Sequence, residues 1–257
     1  MNIGFIGIGK IATAVIEGLC TSALSGATLR LSPRNEERSK MLARKFPNVI
    51  RMDSNQEVID QSEIIILALR PPQAEEVLIG LTFSESHQIV SLIPLLRHTD
   101  ILKMVYPAHH VARAIPLPPV VNHNCPIPIF SANNVVVDIF NNLGQPLLVN
   151  NEDQLHALWT LTCLITPYYD LLQELSVWTT AQGVDRSIAN QYIANLFQAL
   201  SYTAQIAEPI EFDELAKHAA TPNGMNEQAG REIHASGAHH AYREAADRIL
   251  LRFPKGL

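Results

Sequence analysis

The first nineteen residues, MNIGFIGIGKIATAVIEGL, restrict the possible folds more than any other stretch of the chain. Asn2-Ile3-Gly4-Phe5-Ile6 is an apolar run of strand length. Ile11, Val15, Ile16 and Leu19 then fall on one face at helical spacing. Between the two lies Gly7-Ile8-Gly9-Lys10-Ile11-Ala12, a G-x-G-x-x-A pattern placed where a buried strand turns into a helix. In that setting Gly7 permits the tight turn, and Gly9 lets the backbone approach a pyrophosphate. The unpaired N–H groups of the helix start favour the phosphate charge. Ala12 still allows close packing of helix on strand.

From Thr28 to Val149 the chain has the alternation of a doubly wound α/β sheet. Strand-like runs occur at Thr28–Leu31, Glu63–Ala68, His87–Ile93, Ala112–Ile115, Pro126–Phe130 and Gln145–Val149, with a charged amphipathic helix over Glu36–Phe46. Glu63–Ala68 is almost continuously apolar, as expected of a parallel strand covered on both faces. Beyond Glu152 the texture becomes helical. Tyr168–Gln182 and Val184–Ala207 carry 3.6-residue periodicity, with Ile188, Tyr192, Leu196 and Leu200 along one stripe. The expected division is a Rossmann-type dinucleotide-binding domain over residues 1–150 and a helical domain over 151–257.

Between Gln154 and Pro209 the formally charged residues are Asp170, Glu174, Asp185, Arg186 and Glu208. A solitary helical domain needs a more polar outer face than that. A second copy of the chain covering it, in a homodimer through the C-terminal helices with scope for a higher oligomer, is the expected remedy.

Composition excludes several function classes. The net charge of −6 argues against a nucleic-acid partner or an anionic membrane surface. Cys20, Cys125 and Cys163 have no paired spacing, which fits a reducing cytoplasm and gives neither a disulfide framework nor a zinc motif. The first apolar run is short and glycine-broken, so no leader peptide is expected, and Leu155–Tyr169 is too short to cross a bilayer. The histidines, including His109-His110 and His239-His240, lack the spacing of a metal site.

The end of the second strand bears on the choice of dinucleotide. It reads Leu31-Ser32-Pro33-Arg34-Asn35-Glu36-Glu37-Arg38. No carboxylate stands at the immediate strand end to receive ribose hydroxyls, whereas Ser32, Arg34 and Asn35 can donate to a phosphate. Arg34 suits a bidentate contact, with Arg38 one turn further along. NADP(H) is therefore expected in preference to NAD(H).

Four stretches together resemble the pyrroline-5-carboxylate reductase family: FIGIGKIA, SPRNEERSKML, IIILALRPPQAEEVL and TPNGMNEQAGREIHASGAHHAYREAADR. They keep the family's order over nearly the whole length, and Leu69-Arg70-Pro71 stands where the family has Val-Lys-Pro. The resemblance implies NADPH-dependent hydride transfer to the C=N bond of a small cyclic imino acid. By position it places the cofactor on Gly7, Gly9, Lys10, Ile11, Ser32, Arg34, Asn35, Asn55, Ala68, Leu69, Arg70 and Pro71. It places the substrate at Gly224, Met225 and Asn226, with Thr221 and Asn226 as hydrogen-bonding candidates for the carboxylate or imine nitrogen. Thr221 and Asn226 also suit a plainer role, capping the following helix.

The departures fall on the substrate half. The family's Arg-x-x-Pro-Asn reads Arg113-Ala114-Ile115-Pro116-Leu117 here, and its alanine-glycine pair after the fifth strand reads Pro94-Leu95. Its Ser-Gly-Ser-Gly-Pro-Ala-Tyr becomes Thr162-Cys163-Leu164-Ile165-Thr166-Pro167-Tyr168, and its two loop threonines become Met225 and Asn226. These changes remove glycines and hydroxyls and predict a smaller, drier pocket. They leave two readings open: a reductase with an altered substrate, or a non-catalytic NADPH-binding sensor of the same fold. A β-hydroxyacid dehydrogenase is disfavoured, because Asn151 to Ala216 contains no lysine to handle the alcohol proton.

Overall fold

The computed structural model describes residues 1–209 and 211–254, which form two compact units. The first unit runs from Met1 to Trp159 and includes the described residues from Leu251 onward; the second is Thr160–Leu250.

The first unit begins with β1 (Asn2–Ile6), α1 (Lys10–Cys20), β2 (Thr28–Leu31), α2 (Glu36–Lys45), β3 (Val49–Arg51), α3 (Asn55–Asp60) and β4 (Ile64–Leu67). It continues through α4 (Pro71–Leu78), β5 (Gln88–Ser91), α5 (His98–Met104), β6 (His110–Ala114), β7 (Pro126–Phe130), α6 (Asn134–Asn141), β8 (Gln145–Val149) and all but the last residue of α7 (Glu152–Thr160). The eight strands make one sheet in the order β3-β2-β1-β4-β5-β6-β7-β8. Six of them repeat the doubly wound 3-2-1-4-5-6 arrangement, so the strand order reverses beside β1. The β6–β7 pairing is antiparallel, whereas β7–β8 is parallel again. The link between β6 and β7 is a short 3₁₀ turn over Pro118–Asn122, and a parallel return needs a longer crossover.

Burial follows the two-residue strand period. Ile64 and Ile66 join one core with Phe5, Val15, Ile16 and Phe140, while Ile65 and Leu67 join the other with Ile59, Leu78 and Ile101. All four residues of β4 are buried, as its unbroken apolar run predicts. The three-residue β3 carried no periodic signal of its own. Two of its residues still matter: Val49 enters the first core, and Arg51 donates to Ser39 Oγ at 3.2 Å and to the Pro33 carbonyl at 3.4 Å.

The expected boundary at 150 falls before α7, and ion pairs from Glu152 and Asp153 to Arg113 and Arg97 join the start of that helix to the sheet unit.

The second unit contains α8 (Ile165–Ala181), α9 (Arg186–Ile206), α10 (Phe212–Ala219), α11 (Met225–Ala235) and α12 (Ala238–Leu250). Asp185 caps α9 through its carboxylate, which accepts from the Ser187 and Ile188 N–H groups. The stripe read from the sequence is present on α9 and faces outward: Ile188 is 61 % exposed, Tyr192 66 % and Leu200 58 %. No described helix is long and apolar enough to cross a membrane.

Candidate functional site

The glycine loop, the β2–α2 turn and the end of β4 surround a cavity of about 860 Å³ at the carboxyl ends of the strands, beside the reversal of strand order. That is where open α/β sheets take their ligands.

Gly7 has φ +94°, and a Cβ there would lie 2.7 Å from the Ala68 carbonyl oxygen. Only glycine fits both the left-handed backbone and the close approach of β4. Gly9 serves differently. It stands at the N-cap of α1 with extended backbone and no side-chain cap, and a Cβ on it would meet nothing within 4 Å. Its missing side chain thus leaves open space in front of a helix start that has no acidic residue in its first turn. A phosphate fits that combination of free space, backbone N–H groups and helix dipole.

The β2–α2 turn is tied to this loop by two side chains. Ser32 Oγ accepts the Gly7 N–H at 2.9 Å, and the Asn35 amide donates to the Ile8 carbonyl at 2.8 Å. Asn35 Oδ1 also caps α2, accepting the Arg38 N–H at 3.3 Å. Arg34 and Arg38 reach the cavity from the same turn, Arg34 exposed and Arg38 half-buried. Glu36 and Glu37 face it too. Lys40 pairs with Glu36 and holds its carboxyl below the usual carboxylate range.

Of the expected cofactor residues, Gly7, Gly9, Lys10, Ile11, Arg34, Asn35, Ala68, Leu69 and Arg70 all line this cavity. Three do not. Ser32 is buried behind the loop, where its oxygen accepts the Gly7 N–H. Asn55 opens α3, and Pro71 is the first residue of α4, immediately behind Arg70 at its N-cap. Gln73, Leu92 and Pro94 line the cavity without having been expected there as cofactor contacts. Pro94 was legible only as a departure from a family pattern.

In the second unit, Thr221, Gly224, Met225 and Asn226 gather at the turn between α10 and α11. The Gly224 N–H donates to the Thr221 carbonyl at 2.8 Å, and the Asn226 amide donates to the Ala219 carbonyl at 2.9 Å. Capping of α11 by Thr221 or Asn226 is corrected by these bonds. The N-cap is Gly224, with no side-chain cap, and Asn226 closes the end of α10 instead. Met225 is 88 % exposed. Among the described residues, no group of three or more metal-ligating side chains comes together.

Comparison with known proteins agrees with this geometry. Residues 2–94 match the family described as NADP oxidoreductase, coenzyme F420-dependent. The chain is 23 % identical to a pyrroline-5-carboxylate reductase of Corynebacterium melassecola, over 95 % of this chain and 94 % of that one. Among solved structures it is similar to 1-pyrroline-5-carboxylate reductase from Streptococcus pyogenes, with a TM-score of 0.84, 20 % identity and coverage of 97 % and 96 %. It is also similar to a Plasmodium falciparum pyrroline carboxylate reductase with NADP bound, with a TM-score of 0.84, 17 % identity and coverage of 98 % and 96 %. The fold and cavity are those of a Rossmann-type dinucleotide-binding unit, and the family matched over residues 2–94 is one of NADP oxidoreductases. In sequence the chain is similar to pyrroline-5-carboxylate reductases at 23 % identity, and in fold at a TM-score of 0.84.

Proposed function

We propose that the chain is an NADPH-dependent reductase that transfers hydride to the C=N bond of a small cyclic imino acid, pyrroline-5-carboxylate or a close analogue. One observation carries the cofactor half: a single cavity joins the open α1 start at Gly9 to Arg34 and Arg38. The first suits a pyrophosphate and the second a ribose phosphate, at the two places a phosphorylated dinucleotide needs them.

When bound, the nicotinamide supplies the hydride, and the protein supplies orientation, exclusion of water and a proton source. The Lys10, Ile11 and Ala12 N–H groups hold the pyrophosphate. Arg34 takes the ribose phosphate, with Arg38 as support. Leu92 and Pro94 give the cavity a dry wall for the uncharged ring. Gly224, Met225 and Asn226 form the substrate turn of the second unit, where the Asn226 amide and Thr221 hydroxyl serve as donors to a carboxylate or imine nitrogen.

The second unit is also proposed to pair with a second copy of the chain, in a homodimer. The outward stripe of Ile188, Tyr192, Leu196 and Leu200, on a segment poor in charge, supports this. A reducing cytoplasm is consistent with Cys20, Cys125 and Cys163 all being free thiols.

The test is NADPH oxidation with pyrroline-5-carboxylate and a panel of other cyclic imines, alongside calorimetric NADPH binding. Turnover with any cyclic imine supports the proposal. NADPH binding without turnover on any of them removes the reductase reading and leaves the non-catalytic sensor.

A further inference from the structure

The turn from β5 to α5 is held in an unusual way. Leu92 and Pro94 from this turn wall the dinucleotide cavity, and between Pro94 and α5 the backbone at Leu95 takes φ +61°. A leucine in the left-handed region is strained and persists only where its surroundings impose it. The two ends of the turn are held by polar side chains, one of them fully buried. Arg113, on β6, is fully buried, and its Nη2 donates to the Ile93 carbonyl at 3.1 Å. Its Nη1 pairs with Glu152 and donates to His156 Nε2 at 2.9 Å, while the guanidinium lies 5.1 Å from the Trp159 ring centre. Glu152 also accepts the His98 backbone N–H at 2.6 Å, so one carboxylate engages Arg113 and the far end of the turn together. Arg97, inside the turn, donates to Asp153 at 3.2 Å and to the Pro254 carbonyl at 3.1 Å.

We propose that Arg113 is a positioning residue for the cofactor cavity: with Glu152 it clamps the turn at Ile93 and His98, holding strained Leu95 in place and setting where Pro94 stands. The role rests on reading that cavity as the dinucleotide site. Stability alone is a poor reason for this cluster. Buried ion pairs are commonly matched or bettered by packed apolar side chains, and Arg113 Nε has no hydrogen-bond partner. Apolar side chains cannot grip a carbonyl at one end of a turn and an amide at the other. A guanidinium fork paired to a carboxylate can.

The test compares wild type, Arg113→Lys and Arg113→Lys combined with Leu95→Gly. Lysine keeps the charge but loses the fork; glycine removes the penalty of the left-handed backbone. Amide exchange is measured without cofactor, and NADPH binding by calorimetry. Arg113→Lys is expected to speed exchange across residues 93–98, leave that of β1 and α1 unchanged, and weaken NADPH binding about tenfold. Adding Leu95→Gly is expected to restore most of the affinity. If Arg113→Lys does not fold, Glu152→Gln, which keeps an oxygen acceptor and drops the charge, is read the same way. A folded variant with unchanged exchange over 93–98, or with unchanged NADPH affinity, overturns the positioning role. Failure of the wild type to bind either NADPH or NADH overturns instead the site reading beneath it.

Discussion

Ser32 Oγ accepts the backbone N–H of Gly7 at 2.9 Å, joining the end of β2 to the first glycine of the phosphate loop. Ser32 is buried, so removing its hydroxyl leaves a polar group with no water to replace its partner. Ser32→Ala is expected to lower unfolding free energy by about 1–3 kcal/mol and to weaken NADPH binding by loosening the loop. Thermal melts and calorimetry check the two effects separately.

The two loop glycines should fail in opposite ways. Gly7→Ala meets both a positive φ and the Ala68 carbonyl oxygen, so it is expected to cost stability, about 1–3 kcal/mol or more. Gly9→Ala meets nothing in the protein and is expected to leave the melting temperature nearly unchanged. Its methyl group occupies the space proposed for the pyrophosphate, so binding should fall sharply. Equal effects on stability from the two substitutions would contradict this division of labour.

Arg34 carries the proposed choice of NADPH over NADH. Loss of one charge-assisted contact to a phosphate is worth about 1.5–3 kcal/mol, or about ten- to a hundredfold in Kd. Arg34→Ala should therefore weaken NADPH by that factor and leave NADH binding nearly unchanged. Parallel titrations with the two dinucleotides measure it.

His156 gives the sheet unit an acid-sensitive point. Burial pushes its pKa down, the Arg113 charge adds to that and Arg97 contributes less, while Glu152 and Asp153 oppose it. The unfolded chain takes up the proton near the ordinary value of about 6.5, so it binds more protons than the folded chain below that pH. Stability from this group is complete above about 6.5 and is lost as the pH falls through that value toward the lower folded pKa. Denaturant titrations across this window should show the fall, and His156→Gln, which keeps an acceptor for Arg113, should flatten it.

Much of the first unit was legible because its signals are local. The alternation of Ile64 to Leu67 between two cores, the glycine loop before α1, and the polar β2 end at Arg34 and Asn35 each depend on neighbouring residues. β3 was not legible, since three residues make no period. The inward role of Ser32 was hidden as well, because a serine at a strand end reads equally well as a donor to ligand or as a brace for the loop. The Arg113 clamp was beyond sequence reasoning for a different cause: Arg113, Glu152 and His98 come together only through the sheet. Leu95 was visible as a departure from glycine, but its φ of +61° needed the backbone.

The most direct test of the proposed reaction uses NADPH deuterated at the transferable nicotinamide position, with pyrroline-5-carboxylate as acceptor. NADPH consumption is expected, with proline carrying deuterium on the ring carbon that belonged to the C=N bond. Bound NADPH that is consumed neither with pyrroline-5-carboxylate nor with any other cyclic imine of the panel, with no deuterated product formed, would contradict it.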